Sequence, residues 1–94
     1  MKIVKVNGRK RSHKVFMYAI STCAWCKRTK QFLKDNNVEF EYVDVDLCND
    51  EEQEKVEREI SRRGGELVFP TLIIDDKILI MGYKADKISE ALRL

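Results

Sequence analysis

The sequence has no long apolar run. No stretch approaches the roughly 18–20 consecutive apolar residues that a membrane-spanning helix needs. Its opening residues, MKIVKVNGRK, have neither the apolar core nor the small-residue cleavage site of a signal peptide. We therefore expect a cytoplasmic protein that does not enter a membrane. In that compartment thiols are mostly kept reduced.

The sequence also has few cysteines, a single histidine and little net charge. Three cysteines are too few, and odd in number, for a disulfide framework. The 18 basic and 16 acidic residues give a net charge of +2, which predicts no strong attraction to nucleic acid or membrane. One local excess, GRKRSHK at Gly8–Lys14, is interpreted as a solvated turn, with a docking patch for an acidic protein as the alternative. With 44% hydrophobic residues among 94, we expect one monomeric domain over 1–94, with 1–13 as an N-terminal extension or hairpin.

Alternating and apolar segments separated by turn residues predict an α/β fold. Asn7–Gly8 is a turn signal that favours a hairpin between the first two strands. Asn49, with Glu52 three residues later, predicts a capping box, and Gly64 suits the end of that helix. In chain order we expect strands at 2–6, 14–20, 38–47, 68–75 and 78–83, and helices opening at Cys23, Asn49 and Ala85. This order implies a mixed four-stranded sheet with helices on both faces and room for an N-terminal edge strand.

Two cysteines, Cys23 and Cys26, stand where the second strand ends and a helix begins. A helix N-terminus stabilises a thiolate, so the pKa of Cys23 should fall below that of a free cysteine. Cys26, one turn later, should face inward within disulfide reach. This arrangement predicts Cys23 as the nucleophile of thiol–disulfide exchange and Cys26 as the resolving thiol. Lys27 and Lys30 are candidates for further stabilising the Cys23 thiolate with their positive charge, although helical geometry can direct them into solvent.

The chain resembles the glutaredoxins, a family with the thioredoxin-like fold. The resemblance rests on the strand–CxxC–helix unit, on FPT at 69–71 and on MGYKAD at 81–86, and it covers 14–92. It implies a disulfide oxidoreductase in electron transfer and redox homeostasis, with no bound cofactor or metal, acting on protein or small-molecule disulfides. It also implies that Pro70 is a cis-proline facing the cysteines, beside Phe69 backbone groups that can pair with a peptide or glutathione. The substrate- and thiol-binding residues implied by the resemblance are Trp25, Phe69, Pro70, Thr71, Gly82, Tyr83 and Asp86.

Three departures from the family pattern concern the electron donor. Ile20 stands where glutathione-dependent members carry a lysine that pairs with a glutathione carboxylate. Tyr83 replaces the second glycine of a pair, as in the ribonucleotide-reductase-linked redoxins. Ala24 replaces a proline and restores a backbone N–H that is a candidate for supporting the Cys23 thiolate. The expected donors are therefore a thioredoxin-reductase-like flavoenzyme, a ferredoxin-linked disulfide reductase, or a small thiol such as glutathione.

Two other functions remain open at the level of sequence. Some glutaredoxins carry an iron–sulfur cluster between two subunits, which makes a cluster carrier the first alternative. A structural metal-binding adaptor is the second, although the spacing of the cysteines and His13 fits no common zinc pattern. Cys48 is interpreted as non-catalytic, with a regulatory or intermolecular disulfide as the alternative, and His13 as an exposed residue.

Overall fold

The computed structural model describes all residues, 1–94, and contains one five-stranded mixed sheet with three α-helices. The elements are β1 (Val4–Val6), β2 (Val15–Ala19), α1 (Ala24–Asp35), β3 (Phe40–Asp44), α2 (Asp50–Arg62), β4 (Thr71–Ile74), β5 (Ile78–Met81) and α3 (Ala85–Leu92). A short 3₁₀ turn, Val45–Leu47, follows β3. The strand order is β1-β3-β2-β4-β5, with β2 and β3 parallel and every other neighbouring pair antiparallel. The predicted mixed sheet with an N-terminal edge strand is confirmed.

The period-two alternation of β2 divides the core between the two faces of the sheet. Val15, Met17 and Ala19 point to a cluster that also contains α1 and α3 side chains such as Leu33 and Ile88. Tyr18 points to the opposite face, in a second cluster that includes Val43 of β3, Val45 of the 3₁₀ turn, Val56 and Ile60 of α2, and Ile73 of β4. The two helices α1 and α3 therefore cover one face of the sheet and α2 covers the other, as expected.

The predicted hairpin between the first two strands is wrong. Strand β1 pairs antiparallel with β3, with Val4 opposite Tyr42, rather than with β2. Gly8 is needed for close approach instead of a tight turn, because a Cβ atom there would lie 2.7 Å from the Asn37 carbonyl oxygen. Lys10 then donates its N–H to the same oxygen at 2.9 Å. The basic segment from Gly8 to Lys14 thus crosses over the end of α1 before entering β2.

All five strands are shorter than predicted, and two of them keep only about half of their predicted length. The segment 38–47 is a strand only over Phe40–Asp44, since the chain then tightens into the 3₁₀ turn. The segment 68–75 is a strand only over Thr71–Ile74, after the proline. The helices follow the prediction closely, and Asn49 and Glu52 form the reciprocal capping box at the start of α2. None of the helices combines the length and apolar character needed to cross a membrane.

Candidate active site

Cys23 is the N-cap of α1, and its own sulfur performs the capping. The strand β2 ends at Ala19 and the helix begins at Ala24, so Cys23 lies in the junction with extended backbone angles. Its Sγ accepts the Cys26 N–H at 3.3 Å. The carbonyl of Ile20 accepts the Cys23 N–H at 3.1 Å, which holds the turn closed. A reactive sulfur therefore takes the place that a serine or aspartate oxygen usually fills at a helix start.

The pKa of the Cys23 thiol is lowered below its ordinary value. Partial burial opposes ionisation, but hydrogen bonds from the Cys26 thiol and from the Cys26 and Trp25 backbone N–H groups outweigh it, and Lys30 adds a favourable charge. The backbone donors are thus Trp25 and Cys26. The amide of Ala24, a candidate at the level of sequence, is not among the groups that lower this pKa.

The second cysteine behaves in the opposite way. Cys26 has no exposed surface and is part of the core cluster with α3. Burial, together with the hydrogen bond that its thiol makes to Cys23, raises the pKa of Cys26 to about 12. Both cysteines are free thiols. The pair consequently combines one partly accessible, acidified thiol with one buried thiol that stays protonated at neutral pH.

Lys30 lies on α1 and is held against the sheet. Its ammonium group sits 3.8 Å from the centre of the Tyr42 ring and 3.7 Å from Asp44 Oδ1. The side chain is only 17% exposed, whereas Lys27 is exposed. Of the two lysines named as candidates, Lys30 is therefore the one whose charge acts on the cysteines. Its spacing of seven residues from Cys23, two helical turns, is the sequence signal for this placement.

The predicted proline turn forms beside the end of β2. The Phe69–Pro70 peptide bond is cis, as expected, and Pro70 is fully buried. The Thr71 hydroxyl donates to the Val68 carbonyl at 2.7 Å, and the Gly82 N–H donates to the Pro70 carbonyl at 2.6 Å. Gly82 has φ +84°, a left-handed conformation that favours glycine. These bonds tie the proline turn to the end of β5.

The backbone of Phe69 stays free of this network. Neither its N–H nor its carbonyl takes part in a backbone hydrogen bond of the fold. Its ring is half-buried and packs against both core clusters. A free backbone N–H and carbonyl are the groups that can pair with an added peptide strand.

Aromatic rings form a partly exposed surface at the start of α1. Trp25 is 57% exposed and stacks on Tyr83, with ring centres 5.9 Å apart and planes at 24°. Phe32 supports Tyr83 edge-on at 6.1 Å, and the Arg28 guanidinium lies 5.8 Å from the Trp25 ring centre. The sequence singled out Trp25 and Tyr83 separately; that they stack emerges only from the fold.

Asp86 and Cys48 do not join this group of contacts. Asp86 lies exposed in the first turn of α3 without a side-chain hydrogen bond or ion pair. Cys48 follows the 3₁₀ turn, and its thiol donates to the Asp44 carbonyl at 3.7 Å. Burial raises the pKa of Cys48, so its thiol is less reactive than that of Cys23.

His13, interpreted as an exposed residue, is partly buried and pairs with Asp75 through Nδ1 at 2.7 Å. The structure has no group of three or more histidine, cysteine, aspartate or glutamate side chains arranged to hold a metal ion.

Comparisons with known proteins converge on one family. The family model described as Glutaredoxin matches residues 15–79. A glutaredoxin-like 8.6 kDa protein in the rubredoxin operon of Clostridium pasteurianum is 37% identical over 70 residues, which cover 74% of this chain and 87% of that protein. The crystal structure of the glutaredoxin from Methanosarcina mazei Go1 is 41% identical with a TM-score of 0.86, over 100% of this chain and 90% of that one. The crystal structure of Methanosarcina acetivorans methanoredoxin is 44% identical with a TM-score of 0.75, over 86% of this chain and 85% of that one.

Proposed function

Because the chain belongs to the glutaredoxin family of thiol–disulfide oxidoreductases, we propose that it reduces disulfides in proteins, with Cys23 as the nucleophile and Cys26 as the resolving thiol. The observation that carries this proposal is the opposite acidity of the two cysteines. The pKa of Cys23 is lowered at the helix N-terminus, while that of buried Cys26 is raised to about 12. Cys23 is therefore the more readily ionised of the two thiols, and only Cys23 has exposed surface.

The proposed reaction runs through two exchanges. The Cys23 thiolate attacks one sulfur of the substrate disulfide, forms a mixed disulfide and releases the first substrate thiolate. The Cys26 thiol then gives up its proton and attacks Cys23 Sγ, which breaks the mixed disulfide and releases the second substrate thiolate. Two electrons have passed to the substrate, and the protein holds a Cys23–Cys26 disulfide. An external reductant must supply two electrons to begin the next cycle.

Substrate binding is assigned to the two surfaces beside Cys23. The free backbone of Phe69, placed by Pro70 and Thr71, would pair with an extended segment of the substrate. Exposed Trp25, stacked on Tyr83, would give apolar contact on the other side. Gly82 and Asp86, implied by the family resemblance, would contact the same ligand near the start of α3.

The donor is the part of the proposal that departs most from the family. Ile20 supplies no charge where glutathione-dependent members place a lysine. We favour a reductase of the thioredoxin-reductase or ferredoxin-linked type over glutathione for this reason. The sparse cysteines support a reducing compartment, the cytoplasm, as the place of action, and we expect the chain to work there as a monomer.

Cysteine substitutions test the mechanism. Cys23→Ser should abolish reduction of a protein disulfide, whereas Cys26→Ser should accumulate a mixed disulfide with the substrate, visible by mass spectrometry under non-reducing conditions. Cys48→Ser is the matched control, since it removes a thiol outside the pair, and its activity should equal that of the wild type. Full activity of Cys23→Ser would contradict the assignment of the nucleophile.

A comparison of donors tests the second half of the cycle. The oxidised protein is mixed with glutathione, with a thioredoxin reductase and NADPH, or with a ferredoxin-linked reductase, and the return of free thiols is followed. We expect a reductase to reduce the Cys23–Cys26 disulfide faster than glutathione does when both donors supply electrons in equal amount. Faster reduction by glutathione would refute the preference for a reductase but leave the roles of Cys23 and Cys26 intact.

A further inference from the structure

A groove opens beside the loop between β2 and Cys23, next to α2. It has a volume of about 420 Å³ and is lined by the loop after β2, the 3₁₀ turn, one face of α2 and the loop before the proline. Its apolar lining consists of Ile20, Val45, Leu67 and Phe69. Ile20 holds the Cys23 N–H and Phe69 precedes Pro70. Because Phe69 itself lines the groove, a chain paired with the Phe69 backbone would lie beside it.

Carboxylates form one wall of the groove, and no lysine or arginine lines it. The acidic residues are Asp46, Asp50, Glu54 and Glu57. Three of them lie on α2 at positions i, i+4 and i+7, which places them on one helical face. With a rise of about 1.5 Å per residue, this acidic face is roughly 10 Å long. It matches about three residues of extended peptide at ~3.3 Å each.

The three carboxylates on α2 are available to a ligand, whereas both oxygens of Asp46 accept hydrogen bonds from Ser21. Hydrogen bonds from the Ser21 hydroxyl and backbone N–H lower the pKa of Asp46 and keep it ionised. The one ion pair on the α2 wall joins Glu54 to Arg58, whose guanidinium lies 3.9 Å away. Both of these side chains are about two-thirds exposed, at 67% and 71%, so the pair is loose and easily exchanged.

Exposed apolar side chains border the groove. Leu67 and Val68, in the loop before Phe69, are 46% and 37% exposed. An apolar floor with a charged wall favours an amphipathic segment of a protein over a small polar ion. A groove without a cation also disfavours carboxylate-bearing ligands such as glutathione, since bringing like charges together costs free energy.

We propose that this groove binds a positively charged, extended segment of the protein substrate, with lysine or arginine side chains within about three residues of the disulfide. The proposal rests on the proposed function, because it concerns the substrate of the same Cys23 site. Alternating side chains of the segment would contact the apolar floor, and its basic side chains would face the α2 wall. Charge complementarity would then select among disulfide proteins and raise the rate of encounter.

Matched peptides test this inference in a single-turnover reaction. Two synthetic peptides, each closed by one disulfide, differ only in having lysine or glutamate at the positions flanking one cysteine. Excess pre-reduced protein is the sole electron source, so the identity of the physiological donor does not enter. Peptide thiols are trapped and counted over time. The lysine peptide should be reduced about five- to tenfold faster at low ionic strength, and salt should narrow the difference.

Charge-matched variants locate the preference. Glu54→Gln with Glu57→Gln should reduce the lysine-over-glutamate ratio to about twofold or less. Glu51→Gln with Glu90→Gln removes the same charge from exposed positions outside the groove and should leave the ratio at the wild-type value. Urea unfolding of both double variants checks that they fold.

The outcomes separate the two proposals. Equal rates for the two peptides in the wild type would overturn the groove assignment while disulfide reduction stands. An equal loss of preference in both double variants would overturn it as well, since the effect would come from net charge alone. If the wild type reduces neither peptide, or if Cys23→Ser reduces them as fast as the wild type, the proposed function itself fails.

Discussion

Lys30 is a residue of α1 whose position depends on one strand of the sheet, β3. It is spaced like a residue on the cysteine face of α1, but its burial comes from Tyr42 and Asp44 of β3. Asp44 Oδ1 is buried and has no hydrogen bond of its own, so the Lys30 charge is also its main compensation. The lysine thus links the stability of the C-terminal end of β3 to the acidity of the thiols.

Removing the Lys30 charge should weaken the Cys23 thiolate. In Lys30→Gln we expect a higher Cys23 pKa, and therefore about two- to fivefold less thiolate at any pH below that pKa. The pH dependence of alkylation by iodoacetamide, measured in a Cys48→Ser background, reports this pKa because buried Cys26 stays protonated. Lys27→Gln, one turn earlier on the exposed side, should behave as the wild type. An unchanged profile in Lys30→Gln would show that its charge does not reach the sulfur.

At the residue scale, the sequence predicts the chemical role of a side chain better than it predicts which other side chains it contacts. The position of the CxxC pair at a strand–helix junction is enough to predict which thiol is acidified, since helix capping is local. The stacking of Trp25 on Tyr83 is not predictable in this way, because these residues are far apart in the chain and meet only when the start of α1 packs beside the loop between β5 and α3.

Gly8 has the strongest steric requirement among the segments joining the elements. It lies where the N-terminal segment crosses the connection between α1 and β3, with no room for a Cβ atom beside the Asn37 and Glu39 backbone. Gly8→Ala should therefore displace the crossing and lower the free energy of unfolding by about 1–3 kcal/mol. Urea denaturation measures this change from the shift in midpoint at constant slope.

Asn7→Ala is the control for this prediction. Asn7 is exposed and makes no recorded hydrogen bond, so its loss should leave the unfolding midpoint nearly unchanged. An equal midpoint for Gly8→Ala and Asn7→Ala would mean that the crossing can adjust without cost.

At the scale of elements, helices were easier to predict than strand pairing. Periodicity, the Asn49–Glu52 capping box and Gly64 specify α2 from local sequence alone. The hairpin was mispredicted because Asn-Gly signals a local turn, whereas the partner of β1 is decided by long-range packing against β3. Strand ends were misplaced for the same reason, since a strand ends where its partner ends.

The whole molecule should lose stability in acid. Several carboxyl groups have pKa values below their ordinary range, in each case mainly because a donor holds the ionised form. These donors are the Ser21 hydroxyl for Asp46, the Arg62 guanidinium for Glu59 and the His13 ring for Asp75. A lowered folded-state pKa contributes stability above the unfolded value, about 4, and that contribution is lost as pH falls through the folded value.

Urea unfolding as a function of pH measures this effect. The free energy of unfolding should be nearly level from about pH 6 to pH 5 and should fall steadily below about pH 4. High salt should reduce the fall, because these groups are near the surface. A free energy that stays constant down to about pH 3 would show that the carboxyl groups titrate alike in the folded and unfolded chain.

The acidic groove shows what only the whole fold reveals. The spacing of Asp50, Glu54 and Glu57 marks an acidic helical face in the sequence, but exposed acidic faces are common on helices. Only the packing of α2 beside the loop of Phe69 brings that face next to the redox pair.

The capping role of Cys23 has a further consequence, for the dynamics of the cycle. The same sulfur that would exchange with substrate also caps the N-terminus of α1. The negative charge of the thiolate is lost whenever this sulfur becomes part of a disulfide. The reduced and oxidised molecules should therefore differ in how readily the amides of Trp25 and Cys26 exchange with solvent. A reductase that approaches this surface would meet a looser helix start in the oxidised molecule, and so could distinguish a molecule in need of electrons from one that already carries them.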